Sequence, residues 1–178
     1  RVKEDLEAQL LAYLNTHPKG QNYRWQVEIL SGTIPSWVKG EGRLSFRKEE
    51  LPVGKVTLTA EAGQPARTFF CQATIQAFGS PLVTGRELAA GELLASQKVR
   101  RAKELELTSY LALGKQPLFQ LEANLHLTRS LPADVILTWE DADYPLLVKK
   151  GDSVTIFVDM GAIQVQAPGR ALADGKLG

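Results

Sequence analysis

Cysteine occurs once and histidine twice in 178 residues. A lone thiol, Cys71, cannot close an internal disulfide, so cysteine usage leaves the redox compartment open. His17 and His126 are too few for a multi-histidine metal site, and no metal or cofactor is expected. No apolar run approaches the roughly 20 residues that cross a bilayer, so no membrane insertion is expected. The opening Arg1-Val2-Lys3-Glu4-Asp5 lacks a secretory h-region, and any signal peptide is expected to have been removed or left out. An excess of one charge is also missing: 21 Lys and Arg oppose 20 Asp and Glu. Nucleic-acid binding needs a one-sided cationic surface and is not expected. The chain has no G-x-S-x-G elbow, Walker loop, H-E-x-x-H, C-x-x-C or dinucleotide fingerprint. No catalytic residue is therefore nominated, and the chain does not read as an enzyme.

What is present is a foldable globular pattern, 44% hydrophobic and 23% charged. Leu6, Leu10 and Leu14 recur every four residues, with acidic residues ahead of them, and predict an N-terminal helix. His17-Pro18-Lys19-Gly20 ends it, because a residue before proline is pushed out of the helical region. Tyr23, Trp25, Val27 and Ile29 then alternate with polar residues as a half-buried strand. Shorter strands are expected around Leu44–Phe46 and Val56–Ala60. After Gly63-Gln64-Pro65, a long strand places Phe69, Cys71, Ala73, Ile75 and Ala77 on one face. Phe78-Gly79-Ser80-Pro81 punctuates the chain and is the expected hinge. Beyond it, Thr84–Leu94 is echoed by Thr128–Leu137: a basic residue, a leucine, a small-residue turn, then an aliphatic strand. The second copy runs into Thr138-Trp139-Glu140-Asp141, which has capping-box spacing. Near the end, Ser153–Val158, the loop Asp159-Met160-Gly161 and Ala162–Ala167 predict a hairpin that Pro168-Gly169 breaks.

The residues with chemical potential read as structural. Cys71 lies on the apolar strand face and reads as a buried thiol. His17 reads as a helix-end cap or solvated group, and His126 as a strand-face residue. Glu140-Asp141-Ala142-Asp143 fits the solvated face of a short helix better than a cation site. The basic stretch Gln97–Lys103 is neutralised by Glu104 and Glu106 and has no interleaved aromatics to stack bases. Trp25 and Trp37 read as core. Trp139, with Tyr144 and Leu147, flanks a second expected joint at Tyr144-Pro145, and these three are the candidate partner-binding residues.

Three segments in order carry a resemblance: Leu131–Ala142, then Val148-Lys149-Lys150-Gly151-Asp152-Ser153-Val154-Thr155, then Gly169-Arg170-Ala171-Leu172-Ala173-Asp174-Gly175-Lys176-Leu177-Gly178. Together they resemble the flagellar basal-body P-ring formation protein family. They carry its leucine–proline turn, its V-x-x-G-D-x-V strand entry and its G-x-A-L-x-D-G-x-L-G. One departure is Asp134, which stands where the turn usually has glycine. The resemblance covers about residues 82–178; over 1–80 it is one of layout.

The resemblance implies a mainly β fold with one N-terminal helix, as three small β-rich domains in series. These would be 1–78 (helix plus strands), 79–144 (an SAF, antifreeze-like β-clip module) and 145–178 (a small β-barrel or sandwich). Family members continue past the last motif, so the third domain is expected to be incomplete at its C-terminal end. The implied function is that of a periplasmic chaperone, made with a signal peptide, which binds P-ring subunits and helps them assemble around the rod. It would be a monomer or weakly self-associating. Two alternatives share the SAF module: a small-carboxylate or sugar-binding module of an enzyme, and a pilus-assembly protein.

Overall fold

The computed structural model describes residues 2–46, 51–161 and 163–176. The chain opens with helix α1 (Val2–Thr16), whose Leu6, Leu10 and Leu14 are fully buried. Burial of each leucine contributes roughly 1.5–3 kcal/mol. The helix stops where the sequence predicts. His17 is buried beyond its last turn, and its Nδ1 accepts the Lys19 N–H at 3.2 Å.

Strands β1 (Arg24–Ile29), β2 (Gly42–Ser45), β3 (Gly54–Ala62) and β4 (Arg67–Gly79) follow. They form an antiparallel sheet in the order β1-β4-β3-β2. β4 alternates as expected, burying Phe69, Cys71, Ala73, Ile75 and Ala77 against α1 and Trp25. Burial also pushes the Cys71 thiol pKa up, which keeps it protonated. Side chains of α1 occupy backbone groups of both outer strands. Glu7 accepts the Ile29 N–H of β1 at 2.8 Å. Gln9 accepts the Leu44 N–H and donates to the Gly42 carbonyl of β2, at 3.0 and 2.7 Å. A strand edge so engaged is less open to pairing with another chain.

The next elements are β5 (Leu82–Thr84), β6 (Val99–Arg101), β7 (Leu105–Glu106), helix α2 (Thr108–Ala112), β8 (His126–Leu127) and β9 (Ala142–Asp143). Most are short, yet they enclose a second apolar cluster built on Leu82, Leu88, Leu94, Leu125, Leu131 and Leu137. The echo in the sequence is here a duplicated hydrogen-bond network. Leu88 and Leu131 exchange both backbone bonds at 2.9 Å. Around them the bonds come in matched pairs at one constant spacing: Gly91 to Leu127 with Asp134 to Thr84, Leu94 to Leu125 with Leu137 to Leu82, Gly85 to Lys98 with Thr128 to Asp141. The turn residues match too, Gly91 at φ 81° and Asp134 at φ 61°. Aspartate takes the left-handed conformation that glycine takes in the other copy.

The last part holds β10 (Leu146–Val148), β11 (Ser153–Asp159), β12 (Gln164–Arg170) and β13 (Gly175–Lys176). β11 pairs with β12 and β10 with β13, all antiparallel. β12 runs through Pro168 and Gly169, so the expected break there does not occur. Proline fits a strand whose outer N–H has no ladder partner. Ala162, Leu177 and Gly178, which belong to the predicted hairpin and terminal motif, lie outside the described residues. The predicted fold class holds at the coarse level: a mainly β chain opened by a helix. The five-residue α2 is too short to show a periodicity in the sequence.

Candidate functional site

β4 delivers the chain to Ser80-Pro81, the only residues between it and β5. The joint is not a bare linker. β7 returns to pair Glu106 with Phe78 and Leu105 with Gly79. Leu107 donates its N–H to the Ala77 carbonyl at 2.7 Å, and Leu111 of α2 packs on the first cluster. Arg24 forms a two-pronged pair with Glu104, at 2.9 and 3.0 Å, and lies over the Phe78 ring. That bond raises the Arg24 pKa and lowers that of Glu104. Arg101 donates to the Ser80 and Phe119 carbonyls. Gly79 is needed for close approach: a Cβ there would meet Phe119 Cε1 at 2.9 Å.

Beside this joint lies a cleft of about 410 Å³, lined among others by Pro18, Tyr23, Leu51, Leu111, Phe119 and Trp139. Tyr23 meets Phe119 edge-on, with centroids 5.1 Å apart. Burial pushes the Tyr23 phenol up to about 12, so it stays a donor. Trp139 is 39% exposed. It is held by its own N–H, which donates to the Gln116 carbonyl, and by the capping box beneath it. In that box the Asp141 carboxylate accepts both the N–H and the hydroxyl of Thr138, and the Arg129 guanidinium pairs with it. Asp141 is only 2% exposed, which corrects the reading of Glu140–Asp143 as a solvated face.

The three nominated residues occupy different settings. Trp139 lines the cleft. Tyr144 is half-buried against the second cluster, and its hydroxyl donates to Glu122. Leu147 is exposed on β10. The sequence does not announce Tyr23, Phe119, Lys19 and Lys115 as one site, because their convergence depends on how the chain folds back across the joint. The basic stretch is neutralised by other acids than expected. Lys98 pairs with Glu92 and Arg100 with Asp134, while Glu104 and Glu106 turn to Arg24 and Gln76.

A second notable surface is the β11–β12 hairpin. Its strand pairing puts Val154, Ile156, Val158, Val165 and Ala167 on one face, and Ile156, Val158 and Val165 are exposed. Among the described residues there is no group of three or more His, Cys, Asp or Glu that could hold a metal. No helix of the described residues is long and apolar enough to cross a membrane.

No curated protein matches the chain. Solved structures do. Salmonella FlgA in open form is 18% identical with a TM-score of 0.65, covering 97% of this chain and 80% of that one. The closed form is 19% identical with a TM-score of 0.60, covering 97% and 85%. Flagellar protein FlgA from Thermotoga maritima is 15% identical with a TM-score of 0.52, covering 97% and 62%. At these identities the likeness is one of fold. The sequence family described as chaperone for flagella basal body P-ring formation matches residues 80–178, more than half of the chain. The chain therefore belongs to that chaperone family, which is not a family of enzymes.

Proposed function

We propose that this chaperone acts in the periplasm, where it binds P-ring subunits and promotes their assembly around the rod of the basal body. The observation that carries the reading is the family match over residues 80–178. The molecule offers suitable surface: most of its exposed large apolar side chains among the described residues fall between Leu146 and Leu172. Strand addition is the proposed mode, and it uses the β11–β12 hairpin. The sheet of β1–β4 is a poorer template where α1 occupies its edges.

In this reading the chain is three units in series, 1–78, 79–144 and 145–178, with the middle one an SAF-like β-clip. The duplicated bonding around Leu88 and Leu131 and the two separate apolar clusters support this division. The units turn about Phe78-Gly79-Ser80-Pro81, and the Leu105–Ala112 segment travels with the first sheet to which it is bonded. Open and closed forms of the Salmonella protein support such motion here. Two crystal forms of this protein with the same angle between units would count against it.

The test is co-purification. P-ring subunits passed over the immobilised chain should be retained, and sugar acids should leave its melting temperature unchanged. No retention, together with a melting shift from a small acid, would replace the chaperone reading with a small-carboxylate module.

A further inference from the structure

We infer that the cleft beside the joint is a docking site for an acidic, apolar-flanked stretch of extended polypeptide from the client. This rests on the chaperone reading and adds where, and by what chemistry, the client is held. The cleft has the size of a ligand pocket. Its walls are aromatic and aliphatic, from Tyr23, Phe119, Trp139 and Leu111.

The polar side chains of the cleft are one-sided. Among the described residues no aspartate or glutamate lines it, while Lys19 and Lys115 both do. Neither ammonium has a carboxylate within ion-pair distance among the described residues. The joint beside it differs, since Arg24 is engaged by Glu104 and Arg101 by two carbonyls. Two more donors line the cleft without a hydrogen-bond partner among the described residues: the Trp139 indole N–H and the Tyr23 hydroxyl. Tyr23 is half-buried and remains protonated at neutral pH. Uncommitted donors and cations without acids call for an acceptor-rich, negatively charged occupant. The aromatic walls call for apolar side chains beside those carboxylates.

An extended peptide satisfies both demands, whereas a small acid would leave the aromatic walls bare. Because Tyr23 and Leu51 pack on the first cluster while Phe119 and Trp139 lie on the chain beyond the joint, an occupant would also bridge the joint. Client binding and the angle between the units are then coupled.

The experiment uses the purified chain and two dye-labelled twelve-residue peptides, one alternating Glu with Phe and one alternating Lys with Phe. The acidic peptide should bind, weaken as salt rises, and lose about tenfold or more in affinity to the Lys19→Glu, Lys115→Glu double variant. Trp139→Ala should weaken it as well. The basic peptide should bind the wild-type chain poorly. Both lysines are exposed, so the double variant should keep the wild-type circular dichroism and melting temperature. Equal binding of the acidic peptide by wild type and double variant would overturn the inference. So would displacement of that peptide by glutarate at equal concentration, which marks a small-acid site. P-ring subunits supply the last arm. A double variant that retains them as well as wild type overturns the cleft and leaves the chaperone reading standing. A wild-type chain that binds the acidic peptide but no subunit overturns the client named here.

Discussion

Thr84 shows how much one side chain can carry in a stretch of chain made of short strands. It is fully buried, donates its hydroxyl to the Pro132 carbonyl at 2.7 Å and accepts the Val135 N–H at 3.0 Å. Its counterpart in the duplicated network is Leu127, so the polar bridge exists in one copy only. Thr84→Val should lose about 1–3 kcal/mol in denaturant unfolding, because it removes both hydrogen bonds made by a fully buried side chain. Thr84→Ser should lose far less. Glu92 offers a pH test. The Ala89 N–H, then Lys98 and Arg86, lower its pKa from 4.5 to about 2. A depressed carboxylate stabilises the fold above its unfolded pKa and loses that contribution as pH falls through the folded one. The melting temperature should therefore fall between about pH 5 and pH 2, and Glu92→Gln should flatten part of that fall.

At the scale of elements, stability should be uneven. β3 and β4 lie inside the first sheet and bury one face, whereas β11 and β12 expose most of both faces. A two-stranded hairpin with little buried surface opens at low cost. Amides of Ser153–Asp159 and Gln164–Arg170 should exchange with solvent far faster than those of Arg67–Gly79; equal protection in hydrogen exchange would contradict this. The elements also differ in how well the sequence announces them. α1 and β4 are long enough for their periodicity to show in Leu6, Leu10 and Leu14 and in the alternation from Phe69 to Ala77. β7 and α2 span two and five residues, and their placement follows from pairing with β4 rather than from a local pattern. The duplicated unit is legible only as an echo, since the constant spacing of its leucines emerges once backbone partners are known. Trp139 can be singled out as a surface aromatic. Its neighbours Tyr23 and Phe119 cannot, being far apart in sequence and joined only across the joint.

At the scale of the molecule, two clusters meet at a joint that is close-packed on one side and hollow on the other. Gly79→Val would drive a branched side chain into Phe119 and Leu107. It should cost roughly 1–3 kcal/mol and widen the angle between the proposed units in small-angle scattering. Arg24→Ala removes the Glu104 pair without touching either cluster, so it should broaden the distribution of angles while leaving the melting temperature nearly unchanged. The central claim is that this chain guides the joining of ring subunits. Its most direct test follows ring formation by purified P-ring subunits, counted by electron microscopy, with and without substoichiometric amounts of the chain. The account predicts more closed rings and fewer amorphous aggregates in its presence. Ring yields that do not change with added chain, at concentrations where subunits are retained on it, would contradict the account.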